Sequence, residues 1–314
     1  MSTPLGLLKA VTAKLEEARL DFVVTSGMAC VHYGLQQATK DVDLVLKAQE
    51  LPRFLDLLER LEHEMPPWRI SYRVIFGAPL EPSYMSCGWT SHLAIWSSAA
   101  APEQHLDIFC KPPRVGTLER NTENPAYASR HMVAQMKRTD RDRDWPIVDG
   151  LGMQLRGQNP ELALLHIQDS RSLLALWRHS PPSAQATAAS RRPLLRLLST
   201  VNDADALDAW LRLERIIWET VNQERYRLYE TAWKDFYRRW RADESFEWPT
   251  TESIRLQHAR LTTSAGRFGL VQDPVGSVGR QALYERALRR AVVRADSTAE
   301  KLARVQPPLL EILP

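Results

Sequence analysis

The sequence is poor in cysteine, with three in 314 residues: Cys30, Cys87 and Cys110. Their odd number, wide spacing and lack of a CxxC pair argue against a disulfide framework and against a structural zinc site. Long apolar runs are missing as well. No stretch approaches the roughly 18 consecutive apolar residues that a membrane span needs, so no membrane partner is expected. The opening MSTPLGLLKAVTAKLEEARL mixes acids into an amphipathic pattern, unlike a signal or transit peptide, and a cytoplasmic protein is the simplest expectation. Lysine nearly vanishes from the second half: from residue 151 on there are 22 Arg and 2 Lys beside 19 acids. A net charge of +3 is too small to mark a nucleic-acid binder. These arginines read first as surface ion pairs, with bidentate recognition of phosphate or carboxylate as the sharper alternative. There is no GxxxxGK loop, no GxSxG elbow, no HExxH and no GxGxxG.

What is present is a 44% hydrophobic chain, large enough for a sizeable core and two domains. Residues 5–19 predict a helix with Leu7, Leu8, Val11 and Leu15 on one face. DFVVTS (21–26) and DVDLVL (41–46) predict strands on either side of a short helical stretch, GMACVHYGL. LPRFLDLLERLEHE (51–64) predicts a helix that tolerates Pro52 in its first turn. ISYRVIF (70–76), HLAIW (92–96) and HLDIFC (105–110) predict further strands. From about 131 the pattern turns helical. PPSAQATAASRRP (181–193) reads as a linker or exposed loop, and TTSAGRFGLVQDPVGSVG (262–279) as a glycine-rich interruption. A long helical tract over 203–241 carries an aromatic stripe from Trp210 to Trp240, which reads as core. A helix over 280–294 follows, and the apolar tail VQPPLLEILP is expected to dock on the body. The expected fold class is α+β: a mixed sheet with packed helices in 1–155, then a mainly helical domain in 156–314.

The chemistry concentrates in SGMACVHYGLQQATKDVDLVL (26–46). Side chains two apart in a strand share a face, so Asp41 and Asp43 project together while Val42 turns away. Paired carboxylates resist joint ionisation. A divalent cation removes that penalty, and hard oxygen ligands suit Mg²⁺, with Mn²⁺ as the alternative. Upstream, Ser26-Gly27 ends a strand and opens a helix, a position where exposed backbone N–H groups favour an anion and glycine allows close approach. A third acid, Asp107, sits between apolar neighbours in HLDIFC. Each acid alone reads equally well as part of a solvated strand face; the three beside a Ser-Gly turn read as a site for metal and nucleoside triphosphate.

The arrangement resembles the nucleotidyltransferase superfamily, the polymerase-β-like fold. That family's pattern is a Gly-Ser or Gly-Gly turn, a helix, T-x-D-hydrophobic-D on a strand, and a later strand Asp. Here Ser26-Gly27, then Ala38-Thr39-Lys40-Asp41-Val42-Asp43-Leu44, then Leu106-Asp107-Ile108 stand in those places. The AbiEii-type and related minimal nucleotidyltransferases of toxin–antitoxin and abortive-infection systems look closest, with Ala29, His32, Gly34, Gln37 and Thr39 in corresponding positions. AQMKRTDRDRDWPIVDGL (134–151) is similar to a second, helical motif through Lys137, Arg141, Arg143 and Asp144. Departures are the Ser-Gly order, Gln37 in place of Arg, and Ile147 in place of an acid. The resemblance covers about residues 20–152. It implies two Mg²⁺ ions held by Asp41, Asp43 and Asp107. Phosphate contacts would come from Ser26, Gly27, Thr39, Lys40 and Lys137. The activity would be transfer of a nucleoside monophosphate from an NTP to a hydroxyl of an RNA acceptor, tRNA included, or of a protein acceptor. An antitoxin or a second copy of the chain is the implied protein partner. The rival is a catalytically silent NTP-binding or RNA-binding scaffold.

Overall fold

A computed structural model describes residues 3–65, 67–96, 102–201 and 203–314. In chain order its elements are α1 (Pro4–Glu17), β1 (Phe22–Val24), α2 (Ser26–His32), β2 (Asp41–Leu46), α3 (Leu51–Glu62), β3 (Arg69–Tyr72), α4 (Pro82–Met85), β4 (Thr90–Trp96) and β5 (Gln104–Phe109). Helices follow: α5 (Arg130–Lys137), α6 (Trp145–Leu155), α7 (Pro160–His166), α8 (Ser170–His179), α9 (Pro182–Arg191) and the long α10 (Ala204–Arg241). The chain ends with α11 (Ile254–Arg267), α12 (Pro274–Val278), α13 (Arg280–Arg294), α14 (Ala299–Ala303) and α15 (Leu309–Ile312). The protein is therefore α+β, with a mixed sheet and a helical C-terminal region.

Two compact units form, and they interleave along the chain. One comprises Met1–Pro112, Asn124–Tyr127 and Arg227–Ser277; the other comprises Pro113–Glu123, Ala128–Tyr226 and Val278–Pro314. The boundary expected at 155 falls inside the second unit, between α6 and α7.

The first unit holds a five-stranded sheet in the order β1-β2-β5-β4-β3. β2 and β5 run parallel, and the other neighbours are antiparallel. One face is apolar by alternation. Val42, Leu44, Leu46, Leu93, Ile95, Leu106 and Ile108 share a single core with Leu7, Val11 and Leu15 of α1 and with Phe54, Leu58 and Leu61 of α3. Tyr229, Phe236 and Trp240 of α10 and Leu261 of α11 complete that core, so these aromatics of the stripe are packing material, whereas Tyr226 is exposed. The edge strand β3 is sealed by side chains in place of a further strand. The Tyr72 N–H donates to Gln257 Oε1 (3.0 Å), Gln257 Nε2 donates to Ile70 O (3.0 Å), and Trp248 Nε1 donates to Tyr72 O (3.2 Å). An unpaired edge would invite pairing with another chain.

The second unit is helical. Its arginines are largely engaged internally. Buried Arg114, Arg138 and Arg192 donate to carbonyls at the C-terminal ends of α5 and α7, where helices leave acceptors unmatched. Arg192 also grips Glu214 through two nitrogens. Arg286, Arg290 and Arg294 of α13 pair with Glu224 and Glu219 of α10. The C-terminal tail docks within this unit: Val305, Ile312 and Leu313 are buried, and Arg191 binds Glu311 at 2.7 Å.

Three local expectations are corrected. The stretch 181–193 is mostly the helix α9. Pro182 lies in its first turn, where a missing N–H is harmless, and its alanines are strong helix formers that let Ala188 and Ala189 become buried. The strand expected over 70–76 stops at Tyr72, as Arg73 to Phe76 turn toward Gly77 and Pro79. The interruption at 262–279 begins inside α11 and contains α12.

Candidate functional site

The sheet face opposite the core is half-buried along β2, β5 and β4. Burial alternates along β5: Gln104, Leu106 and Ile108 are buried, while His105, Asp107 and Phe109 are half-buried. On β2 the same alternation leaves Asp41 and Asp43 half-buried and hides Val42 and Leu44. The parallel register sets Asp43 opposite Asp107 and Asp41 opposite His105. The antiparallel register sets His92 opposite Asp107. Cross-strand partners point to the same face, so the three acids predicted from the sequence share that face with two histidines.

Those histidines bind the acids directly. His92 Nδ1 donates to Asp107 Oδ1 at 2.8 Å, and Arg73 Nη1 lies 4.0 Å from the same oxygen. His105 Nδ1 donates to Asp41 Oδ1 at 2.7 Å, while its Nε2 faces Glu103 Oε1 at 3.1 Å. An ionised carboxylate can only accept, which fixes the hydrogen on each Nδ1. The Asp107–His92 pair is the drier one, with side chains 15% and 16% exposed against 42% and 29% for Asp41 and His105. The sequence reading missed His92, His105, Glu103 and Arg73. Period-two alternation in QHLDIF already placed His105 beside Asp107, but nothing local paired either histidine with a carboxylate on another strand.

The Ser-Gly turn abuts this face through the backbone. The Thr25 N–H donates to Asp43 O at 3.0 Å, extending the β1–β2 ladder to the point where α2 begins. Ser26 carries a left-handed φ of 52°, a conformation that favours glycine. Gly27 is needed for a different reason. A Cβ there would lie 2.3 Å from Thr39 Oγ1 and 2.9 Å from Thr39 Cβ. Thr39 Oγ1 also approaches Asp41 O at 3.4 Å, so Thr39 wedges between the turn and the start of β2. Ser26 is half-buried and Lys40 exposed.

Lys137 belongs to the second unit. It is 5% exposed, with Nζ 3.4 Å from Asp144 Oδ1. Asp144 also accepts from Thr139 Oγ1 (2.6 Å) and Arg141 Nε (2.8 Å). Burial pushes the Asp144 carboxyl up, but Lys137, Thr139 and Arg141 together hold it below the usual carboxylate range.

The donor chemistry of Asp41, Asp43 and Asp107 fits a hard divalent cation, since all three are carboxylates on one face. Among the described residues, however, no three His, Cys, Asp or Glu side chains are gathered closely enough to hold a metal ion. In this arrangement Oδ1 of Asp41 and of Asp107 is given to an imidazole. Compared with protein-family models, with curated proteins and with solved structures, the chain finds no match in any of the three.

Proposed function

We propose that the chain is a Mg²⁺-dependent nucleotidyltransferase with a nucleotidyltransferase-like sheet, moving a nucleoside monophosphate from an NTP to a hydroxyl of an RNA or protein acceptor. The observation that carries this reading is the register of the parallel pair β2–β5, which stands Asp43 opposite Asp107 with Asp41 two residues away on the same face. Three carboxylates thus share one sheet face, with His105 bonded to Asp41 and His92 to Asp107. The turn at Ser26-Gly27, bonded to β2 through Thr25, borders them.

In this reading Asp41, Asp43 and Asp107 hold the cation. A Mg²⁺ or Mn²⁺ ion held there would supply neutralisation of the triphosphate and activation of the acceptor hydroxyl. The chain's own part is positioning. Ser26 and Lys40 offer a hydroxyl and an ammonium to phosphate oxygens beside the acids. Thr39, wedged against Gly27, fixes the distance between the turn and Asp41. Catalysis then rests on orientation and preorganised charge, with no covalent nucleophile. An antitoxin-paired or phage-defence setting follows from the resemblance of the 26–46 motif.

The test is transfer of label from each α-³²P NTP, with Mg²⁺ or Mn²⁺, to total RNA and to total protein. Label that appears with the wild-type chain and disappears with Asp43→Asn supports the reading and names the acceptor class. Wild-type transfer rates in Asp43→Asn refute it. NTP binding without transfer to either pool would favour the silent scaffold.

A further inference from the structure

We propose that the segment 309–314 is a proton-gated latch: it stays docked while His131 is neutral and is released when His131 takes up a proton. All the groups involved lie in the second unit.

A row of hydrogen bonds links α5, α7, α9 and α15. Arg138, just past α5, reaches His166 Nδ1 at the end of α7 through Nη2, at 3.1 Å. A guanidinium can only donate, so His166 Nδ1 accepts and its hydrogen sits on Nε2. That hydrogen is given to Nδ1 of His131, on α5, at 2.6 Å. Neutral His131 then carries its own hydrogen on Nε2, which lies 3.4 Å from Nη2 of Arg191 at the end of α9. Two donors face each other there. Arg191 is bonded to α15 instead, with Nε on Glu311 Oε1 at 2.7 Å and Nη2 on Oε2 at 3.1 Å.

The row has no place for one more proton. A second hydrogen on His131 would have to go on Nδ1, where the His166 Nε2–H already points, and its charge would stand beside Arg191. Among the described residues no carboxylate is bonded to either imidazole. The other charged groups here are Arg192, paired with Glu214 of α10, and Glu119 and Glu161, which act on Arg191. Burial first, then Arg191 and Arg138, push His131 down to about 3. Burial and the surrounding arginines hold His166 well below its ordinary value too.

Which element yields follows from how each is held. The end of α5 is gripped by Arg114 through the Gln135 and Met136 carbonyls. The end of α7 is gripped by Arg138 and Arg192, and Arg192 fastens the end of α9 to Glu214. By contrast, α15 is a single turn. It is held by Glu311, with Ile312 and the following Leu313 buried and Leu310 exposed. The Tyr284 hydroxyl of α13 donates to Pro307 O, so the chain is fastened up to that residue. A charge on His131 displaces the guanidinium that holds Glu311, and the segment beyond Pro307 loses its polar anchor.

The experiment is amide hydrogen exchange of the full-length chain at pH 7.5 and pH 5, read by mass spectrometry and corrected for intrinsic rate. The Glu311 and Leu313 amides, bonded to Pro308 O and Leu309 O, report the latch; a peptide from 204–226 of α10 reports the whole unit. A histidine that titrates near 6.5 when released, and not when docked, multiplies the released population about 30-fold over that interval. Expected in wild type are less protection in 309–314 than in α10 at both pH values, and a loss of about 30-fold in 309–314 at pH 5. In His131→Asn, whose side-chain oxygen can still accept from His166, protection in 309–314 should be the same at both. Glu311→Gln alters a partly exposed pair and leaves the buried row intact. It should cost 309–314 about 2–5-fold in protection at pH 7.5, which tests the latch even if His131→Asn does not fold. Wild-type protection in 309–314 that ignores pH, or an equal loss in His131→Asn, overturns the gating by His131. Protection equal to that of α10 at both pH values, or unchanged in Glu311→Gln, overturns the latch.

Discussion

Replacing Gly27 by alanine should change the sign of its effect according to what stands at residue 39. Gly27 is the second residue of α2, and in a helix alanine is favoured over glycine by about 0.5–1 kcal/mol. On propensity alone Gly27→Ala would stabilise. The added methyl, however, would lie 2.3 Å from Thr39 Oγ1 and 2.9 Å from Thr39 Cβ. Rotating Thr39 relieves the first contact but not the second, because its Cβ is fixed by the backbone. The 38–41 segment must therefore move, and overpacking of this kind costs about 1–3 kcal/mol. In Thr39→Gly both contacts vanish and the propensity term remains. The expected outcome of urea unfolding is thus a loss of about 1–3 kcal/mol for Gly27→Ala in the wild-type background and a gain of about 0.5–1 kcal/mol in the Thr39→Gly background. Unchanged m-values would show that the denatured state is not responsible. Equal destabilisation in both backgrounds, or a neutral Gly27→Ala in wild type, would refute the wedge.

Ser26→Gly should raise stability by about 0.5–1 kcal/mol. It relieves a left-handed φ of 52° that costs a non-glycine residue about 1–2 kcal/mol, less the greater unfolded-state freedom of glycine; a lowered melting temperature would contradict it. Gln257→Leu should destabilise by about 1–3 kcal/mol for each group left unsatisfied, here the Tyr72 N–H and the Ile70 carbonyl, and should promote concentration-dependent association through the opened β3 edge, read by light scattering. Unchanged stability would show that water replaces the amide. Buried His131, 2.6 Å from His166 Nε2, is pushed down to about 3 by burial and then by Arg191 and Arg138. The unfolded chain therefore takes up a proton near the ordinary 6.5 while the folded one does not, so stability is lost as pH falls from that value towards 3. By pH 5 His131 alone accounts for about 2 kcal/mol. His131→Asn should flatten the fall in urea midpoint between pH 7 and pH 5, and an equal fall in that variant would assign it to other groups.

The elements that the sequence made legible are those whose pattern is local. β2 was readable because acid and apolar residues alternate with period two, and α13 because its spacing begins cleanly after Gly279. α9 was not, because the Pro-Pro start that suggested a loop is also what a helix accepts in its first turn. The division of the chain was hidden for a stronger reason. α10 is one continuous helix, yet residues to Tyr226 belong to one unit and residues from Arg227 to the other. Tyr229, Phe236 and Trp240 enter the sheet's core, and an aromatic stripe does not announce which core it fills. A boundary drawn from composition therefore had no mark to follow.

The site divides in the same way. Asp41, Asp43 and Asp107 could be placed on one face from alternation within two strands. Their standing side by side depends on β2 and β5 being neighbours, which alternation alone does not say. The histidines required one step more, the insertion of β4 beside β5 in antiparallel register, which brings His92 opposite Asp107. Gly27, singled out in the sequence for close approach of a phosphate, has a second constraint that only the structure shows. The space a side chain would fill is taken by Thr39. A side chain introduced at Gly27 would thus press on Thr39, two residues before Asp41, so its effect would fall on the segment that leads into β2.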